Sequence, residues 1–172
     1  MTDIRVGLGV DVHPFSDDPD RACVIGGVTL DGERGLAGHS DADAVAHAIA
    51  DAIAGAAGLG DIGQHFPDTD PQWRGADSLG LLAEMSGRAK STGWSPVNVD
   101  CTIVAEEPRI SRSRELMAER LSRAVGAPVN VKATRPERLG SLGRVEGLAC
   151  FAVALLERVP TSPSDIVPEE GS

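Results

Sequence analysis

Aromatic residues make up only 3% of this 172-residue chain, which leaves the core to Ala, Val, Leu and Ile and calls for tight packing of small side chains. Basic residues are scarce too: Lys and Arg number 16 against 26 Asp and Glu, a net charge of −10. With no basic run and no aromatic-interleaved basic patch, the balance argues against nucleic acid as a partner. An acidic body that binds a phosphorylated substrate needs metal ions to offset the repulsion. Cys23, Cys101 and Cys150 show no Cys-x-x-Cys spacing and read as small buried hydrophobes in a reducing compartment. No apolar stretch approaches the roughly 18 residues of a membrane span, and no basic segment leading into an apolar one opens the chain. The expected setting is cytoplasmic, with no membrane partner. Two glycine motifs are also missing their context. Gly7-Leu8-Gly9-Val10 opens no helix as a dinucleotide fingerprint would, and the turn Arg138 to Arg144 lacks the Gly-Lys-Ser/Thr ending of a nucleotide phosphate loop.

What is present suits one domain over residues 1–159, with 41% apolar content to build its core. The stretch 160–172, which holds Asp165, Glu169 and Glu170 and no Lys or Arg, reads as a disordered acidic tail. Ile4 to His13 alternates as a strand, with Ile4, Val6, Leu8, Val10 and Val12 on one face and Arg5, Gly7, Gly9, Asp11 and His13 on the other. Cys23 to Leu30 reads as a short strand pair pivoting near Gly26-Gly27. A helix runs from about Asp41 into the glycine-rich Gly55 to Gly60, and a second from Asp77 or Ser78 to Gly93, burying Leu81, Leu82, Met85 and Ala89. Val97, Val99, Cys101 and Ile103 alternate as a strand, Ser113 to Val125 is helical, and Val129, Val131 and Ala133 form another strand. Glu146 to Val159 is apolar enough for a helix or a buried strand, and the pairing needs of a sheet favour the strand.

Asp11 and His13 share a strand face, a natural pair of ligands for zinc or a similar divalent ion. His47 is the candidate third donor. It lies on a helix whose inner stripe is Val45, Ile49, Ala52 and Ile53, with Asp43 and Asp51 on its own side as possible acceptors behind the metal. A lone histidine is more often an ordinary hydrogen-bonded polar residue, and at this level both readings stand. The segment Asp61 to Pro71 is too long and acidic for a mere connector. Lys132-Ala133-Thr134-Arg135 and the turn after it offer hydroxyls, amides and guanidinium groups suited to phosphate, or else form a polar surface loop.

Taken together, Asp11-Val12-His13, Gly38-His39-Ser40-Asp41-x-Asp43 leading to His47, Gly60-Asp61-Ile62-Gly63, Phe66-Pro67-Asp68-Thr69-Asp70 and Gly143-Arg144-x-Glu146-Gly147 resemble the 2-C-methyl-D-erythritol 2,4-cyclodiphosphate synthase family, in order and spacing, over residues 4–159. The resemblance implies an α+β fold, a mixed β-sheet covered by helices on one face, assembled as a homotrimer around a central axis with active sites between neighbouring chains. The implied reaction belongs to non-mevalonate isoprenoid synthesis: 4-diphosphocytidyl-2-C-methyl-D-erythritol 2-phosphate cyclises to the 2,4-cyclodiphosphate and CMP leaves.

The same resemblance implies roles. Asp11, His13 and His47 bind zinc, and Glu137 holds a magnesium or manganese ion bridging the diphosphate. His39 and Ser40 donate to the substrate, His39 as a transition-state stabiliser. Asp61, Ile62, Gly63, Phe66, Pro67, Asp68, Thr69 and Asp70 form the methylerythritol pocket. The stretch Ala105 to Ser111, with Pro108, Arg109 and Ile110, and Thr134, Arg135, Pro136 and Glu137 form the cytidine diphosphate pocket. Arg144 and Glu146 lie near the trimer axis. The chain departs from the family where Arg135 and Pro136 replace threonines of a Thr-Thr-Thr-Glu run and where Ser141 replaces an aromatic or leucine-like residue. Arg135 thus takes the place of a threonine the family assigns to transition-state stabilisation, which leaves a trimeric metal and nucleotide-binding homologue with impaired turnover as the alternative. A metal-dependent phosphohydrolase would fit the Asp/His/His set but not the other motifs.

Overall fold

In the computed structural model, which describes residues 3–159, the alternation of the first strand sorts its residues as expected. β1 (Ile4–Pro14) turns Gly7 and Gly9 toward helix α1 (Ala44–Ala57), while Val6, Leu8 and Val12 on its other face stay exposed. The glycines are a packing requirement. A Cβ at Gly7 would sit 1.9 Å from the Ala52 carbonyl oxygen, and one at Gly9 2.0 Å from that of Ala48, so only glycine lets the helix lie this close to the strand.

β4 (Trp94–Val104) and β5 (Val129–Thr134) are parallel, and β6 (Gly147–Arg158) is antiparallel to both β1 and β4. The four strands form a mixed sheet in the order β1-β6-β4-β5. The apolar segment near the C-terminal end is thus a strand, and it occupies the sheet interior. β2 (Val24–Ile25) and β3 (Val28–Thr29) form the small hairpin expected around Gly26-Gly27. Helices α1, α3 (Ser78–Ser91) and α4 (Arg114–Val125) pack on the sheet. In α1, Ile49 and Ile53 are fully buried, each stabilising the fold by about 1.5–3 kcal/mol. The α+β architecture therefore holds. Cys23, Cys101 and Cys150 are buried free thiols, and burial, with the charges of Glu33 and Asp43, pushes the Cys23 thiol up to about 11, in keeping with a packing role.

Two expectations need correction. Helix α1 starts at Ala44 rather than near Asp41, because Asp43 is its N-cap, accepting from the Val45 and Ala46 amides. Its carboxylate also accepts from Gly26 N at 2.8 Å and from Gly27 N, so Asp43 is a fully buried tie between the hairpin and the helix. The stretch Asp61 to Pro71, read as a loop too long and acidic for a mere connector, is partly helical. It contains a one-turn helix, α2 (Ile62–His65), capped by Asp61, and enters a 3-10 turn (Pro71–Trp73) capped by Asp70. The acidic tail lies outside the described residues.

Candidate active site

β1 and α1 converge on a triangle of donor atoms. Asp11 Oδ2 lies 2.9 Å from His13 Nε2 and 3.4 Å from His47 Nδ1, and the two imidazole nitrogens are 3.3 Å apart. Tetrahedral ligands about 2.0–2.1 Å from zinc stand roughly 3.3 Å from one another, so the triangle has the dimensions of one face of a tetrahedral site. Among the described residues this is the one Asp/Glu/His/Cys group so arranged.

Protons decide what the triangle holds. His13 Nδ1 is 2.8 Å from the Ala37 carbonyl oxygen, which can only accept, so the ring proton sits on Nδ1 and Nε2 presents a lone pair. Asp11 Oδ2 is buried and, with the imidazoles neutral, receives no hydrogen bond despite its close neighbours. Two acceptors, Asp11 Oδ2 and His13 Nε2, thus face each other at 2.9 Å beside His47 Nδ1, an arrangement that a bound cation or an added proton relieves. Burial opposes ionisation of Asp11, but the adjoining His13 and His47 imidazoles outweigh it and hold the carboxyl well below the usual carboxylate range. Burial likewise opposes charging of His13, and the Asp11 carboxylate overcomes it to raise that imidazole. The donor set and spacing fit a divalent ion.

The triangle opens into a cavity of about 480 Å³ that brings together most of the first expected set: Asp11, His13, His39, Ser40, His47, Ile62, Gly63, Phe66, Pro67 and Asp68, with Trp73 and Leu81 added. His39 Nε2 lies 3.3 Å from the Asp70 carbonyl oxygen. Asp61 and Asp70 serve as caps beside the cavity, and neither they nor Thr69 line it.

A second cavity, about 360 Å³, collects Ala105, Pro108, Arg109, Ile110, Thr134, Arg135 and Glu137, with Ile103 and Arg114. Its walls are the parallel ends of β4 and β5. Pro136 and Ser141 do not line it, and Arg144, paired with Glu146 at 2.6 Å, lines a neighbouring concavity with Arg109, Arg135 and Arg138. Glu137 and Arg138 adopt left-handed backbone conformations (φ 53° and 61°), uncommon for residues with a Cβ and frequent at functional loops. The two cavities share no lining residue, so within one chain Glu137 stands apart from the Asp11, His13 and His47 triangle.

The model of the YgbB family matches residues 4–157. The chain belongs to the YgbB family. It is 54% identical over 162 residues to a 2-C-methyl-D-erythritol 2,4-cyclodiphosphate synthase of Rubrobacter xylanophilus, covering 92% of this chain and 98% of that protein. A solved bifunctional IspDF from Campylobacter jejuni superposes with a TM-score of 0.87 at 36% identity, over 92% of this chain and 43% of that one. An IspF from Plasmodium falciparum in complex with CDP gives a TM-score of 0.78 at 30% identity, over 91% and 97% of the two chains.

For this YgbB-family chain, the acceptors expected behind His47 were misassigned. Asp43 is spent on backbone amides, and Asp51 accepts from Ile62 N at 3.3 Å. Instead His47 Nε2 lies 2.9 Å from Ser78 Oγ and 3.2 Å from Ser40 Oγ. Ser78 opens α3, 31 positions away from His47, and nothing local marks it as anything but a helix-start serine. Trp73 was missed because its place on the cavity wall depends on the 3-10 turn.

Proposed function

We propose that this chain is a 2-C-methyl-D-erythritol 2,4-cyclodiphosphate synthase acting as a homotrimer in non-mevalonate isoprenoid synthesis. The observation that carries the reading is the triangle of Asp11, His13 and His47 ligand atoms opening into a cavity, in a chain 54% identical to a synthase over nearly its full length. In the reaction, an oxygen of the 2-phosphate attacks the β-phosphorus of the diphosphate. The bond from that phosphorus to the oxygen bridging it to the α-phosphate breaks, and that oxygen leaves with CMP. Two anions must be brought together, so alignment and charge neutralisation are the main tasks.

Zinc held by Asp11, His13 and His47, and magnesium or manganese held by Glu137, would supply positive charge to the diphosphate oxygens and polarise the β-phosphorus. His39 and Ser40 donate to the phosphate oxygens from the loop between β3 and α1. Ile62, Gly63, Phe66 and Pro67 exclude water from the methylerythritol carbons, with Asp68 for the hydroxyls. Ala105, Pro108 and Ile110 offer apolar surface to the cytosine, and Thr134 and Arg135 bind its diphosphate.

Two features support a shared site in a trimer. The separate cavities call for a neighbouring chain to bring them together across one substrate. On the sheet face away from the helices, Leu8 pairs with Val153 and Val10 with Phe151; with Val6 and Val12 they form an exposed apolar stripe, Leu8 64% and Phe151 44% accessible, of the kind that marks a protein interface. Product analysis on the purified protein tests the activity: cyclic diphosphate with CMP supports it, while absence of turnover, or inorganic phosphate as product, overturns it.

A further inference from the structure

Resting on the reading that Asp11, His13 and His47 hold a metal, we infer that Ser78 and Asp41 are positioning residues that fix the His47 tautomer and aim its Nδ1 lone pair at the ion. The argument follows one proton at a time. Ser78 Oγ is in close contact with Asp41 Oδ1, and an ionised carboxylate can only accept, so the single hydroxyl proton of Ser78 goes to Asp41. The remaining lone pairs of Ser78 Oγ face His47 Nε2 at 2.9 Å and Ser40 Oγ at 3.3 Å. With its own proton on Asp41, Ser78 Oγ can only accept, so the nearer neighbour, His47 Nε2, donates to it. His47 therefore carries its proton on Nε2 and leaves Nδ1 bare, the atom that lies 3.4 Å from Asp11 Oδ2 and 3.3 Å from His13 Nε2.

Asp41 is itself held. It accepts from Ser78 N and Asp43 N, both at 3.2 Å, while Ser78 is 1% exposed, so the serine hydroxyl cannot reorient into solvent. The arrangement parallels His13, whose Nδ1–H is fixed by the Ala37 carbonyl. Each imidazole of the triangle thus has its far nitrogen committed, one to a backbone oxygen and the other to a serine backed by a carboxylate. A purely structural tie between α3 and the loop before α1 accounts for the amide of Ser78 on Asp41. It does not require a hydroxyl at position 78, and the hydroxyl is what reaches His47.

Nitrogen-15 NMR of the imidazoles in the metal-free full-length protein, above the imidazole titration range, reads the tautomer directly. The inference expects His47 protonated at Nε2 in the natural chain and a mixture of tautomers in Ser78→Ala. Competition with a chromophoric zinc chelator should show Ser78→Ala binding zinc about 10–100-fold more weakly, with Ser78→Thr, which keeps the hydroxyl, recovering most of the loss. A natural protein with His47 protonated at Nδ1, or a folded Ser78→Ala that binds zinc as tightly as the natural chain, would overturn it. Failure of the natural chain to bind zinc at all would defeat the metal reading instead. The tautomer measurement needs neither metal nor variant, so the two failures are separable.

Discussion

Replacing Gly9 with alanine places one methyl group between the strand that carries Asp11 and His13 and the helix that carries His47. Its carbon would lie 2.0 Å from the Ala48 carbonyl oxygen and 2.6 Å from the Ala52 nitrogen, against ordinary contacts of 3.4 Å or more. These are backbone atoms in the middle of α1 and cannot swing aside, so the helix must retreat by more than about 1 Å or the strand must bend. Overpacking of this kind costs about 1–3 kcal/mol or more. For a chain of this length that lowers Tm by about 2–12 °C, at roughly 2–4 °C per kcal/mol. The same retreat widens the triangle, whose sides are 2.9, 3.3 and 3.4 Å, beyond the roughly 0.5 Å a binding constellation tolerates. Calorimetry and zinc titration on Gly9→Ala should therefore show lower stability and weakened metal binding together. A variant with unchanged Tm and unchanged zinc affinity would refute the close packing of α1 on β1 and with it the way the site is built.

Other expectations concern the metal, the assembly and the phosphate loop. His47→Ala should lose most bound zinc and all cyclisation while light scattering still reports the oligomer; full zinc occupancy in that variant would defeat the ligand assignment. Zinc affinity should fall on acidification, by at most about tenfold per pH unit for one displaced proton. His13 is raised above its ordinary 6.5 by Asp11, so below that raised value the metal must displace its proton, and above it none remains to displace. Leu8→Asp, which puts a charge into the exposed apolar stripe, should shift the mass measured by light scattering from trimer to monomer. Arg135→Thr should change the turnover number by less than about tenfold, equivalent to roughly 1.4 kcal/mol, because a guanidinium supplies more charge than the threonine hydroxyl it replaces; a gain of several orders of magnitude would mean that the natural protein is a weakened enzyme.

Local pattern carried much of this structure. The period of two in Ile4 to His13 gave the strand and put Asp11 and His13 on one face, and glycines at positions 58, 93 and 126 marked where helices or their following turns reverse, each with positive φ. The direction in which β1 faces was less legible, because its apolar residues are the exposed ones and its glycine face is the packed one. That inversion makes sense only once α1 is seen lying against Gly7 and Gly9. Non-local partners were invisible for the same reason. Asp43 looked like a helical residue beside His47, yet its carboxylate is drawn to the hairpin amides 16 and 17 positions back. Glu137 came through resemblance alone, as the ligand of a second ion and a member of the cytidine diphosphate pocket, and it lines the second cavity, apart from the triangle.

The most direct test incubates the purified chain with 4-diphosphocytidyl-2-C-methyl-D-erythritol 2-phosphate and magnesium, with and without added zinc, and follows the products by phosphorus-31 NMR. A synthase converts the substrate to equal amounts of CMP and the 2,4-cyclodiphosphate. Substrate left intact by zinc-loaded, folded protein, or inorganic phosphate released in place of the cyclic product, would contradict the account.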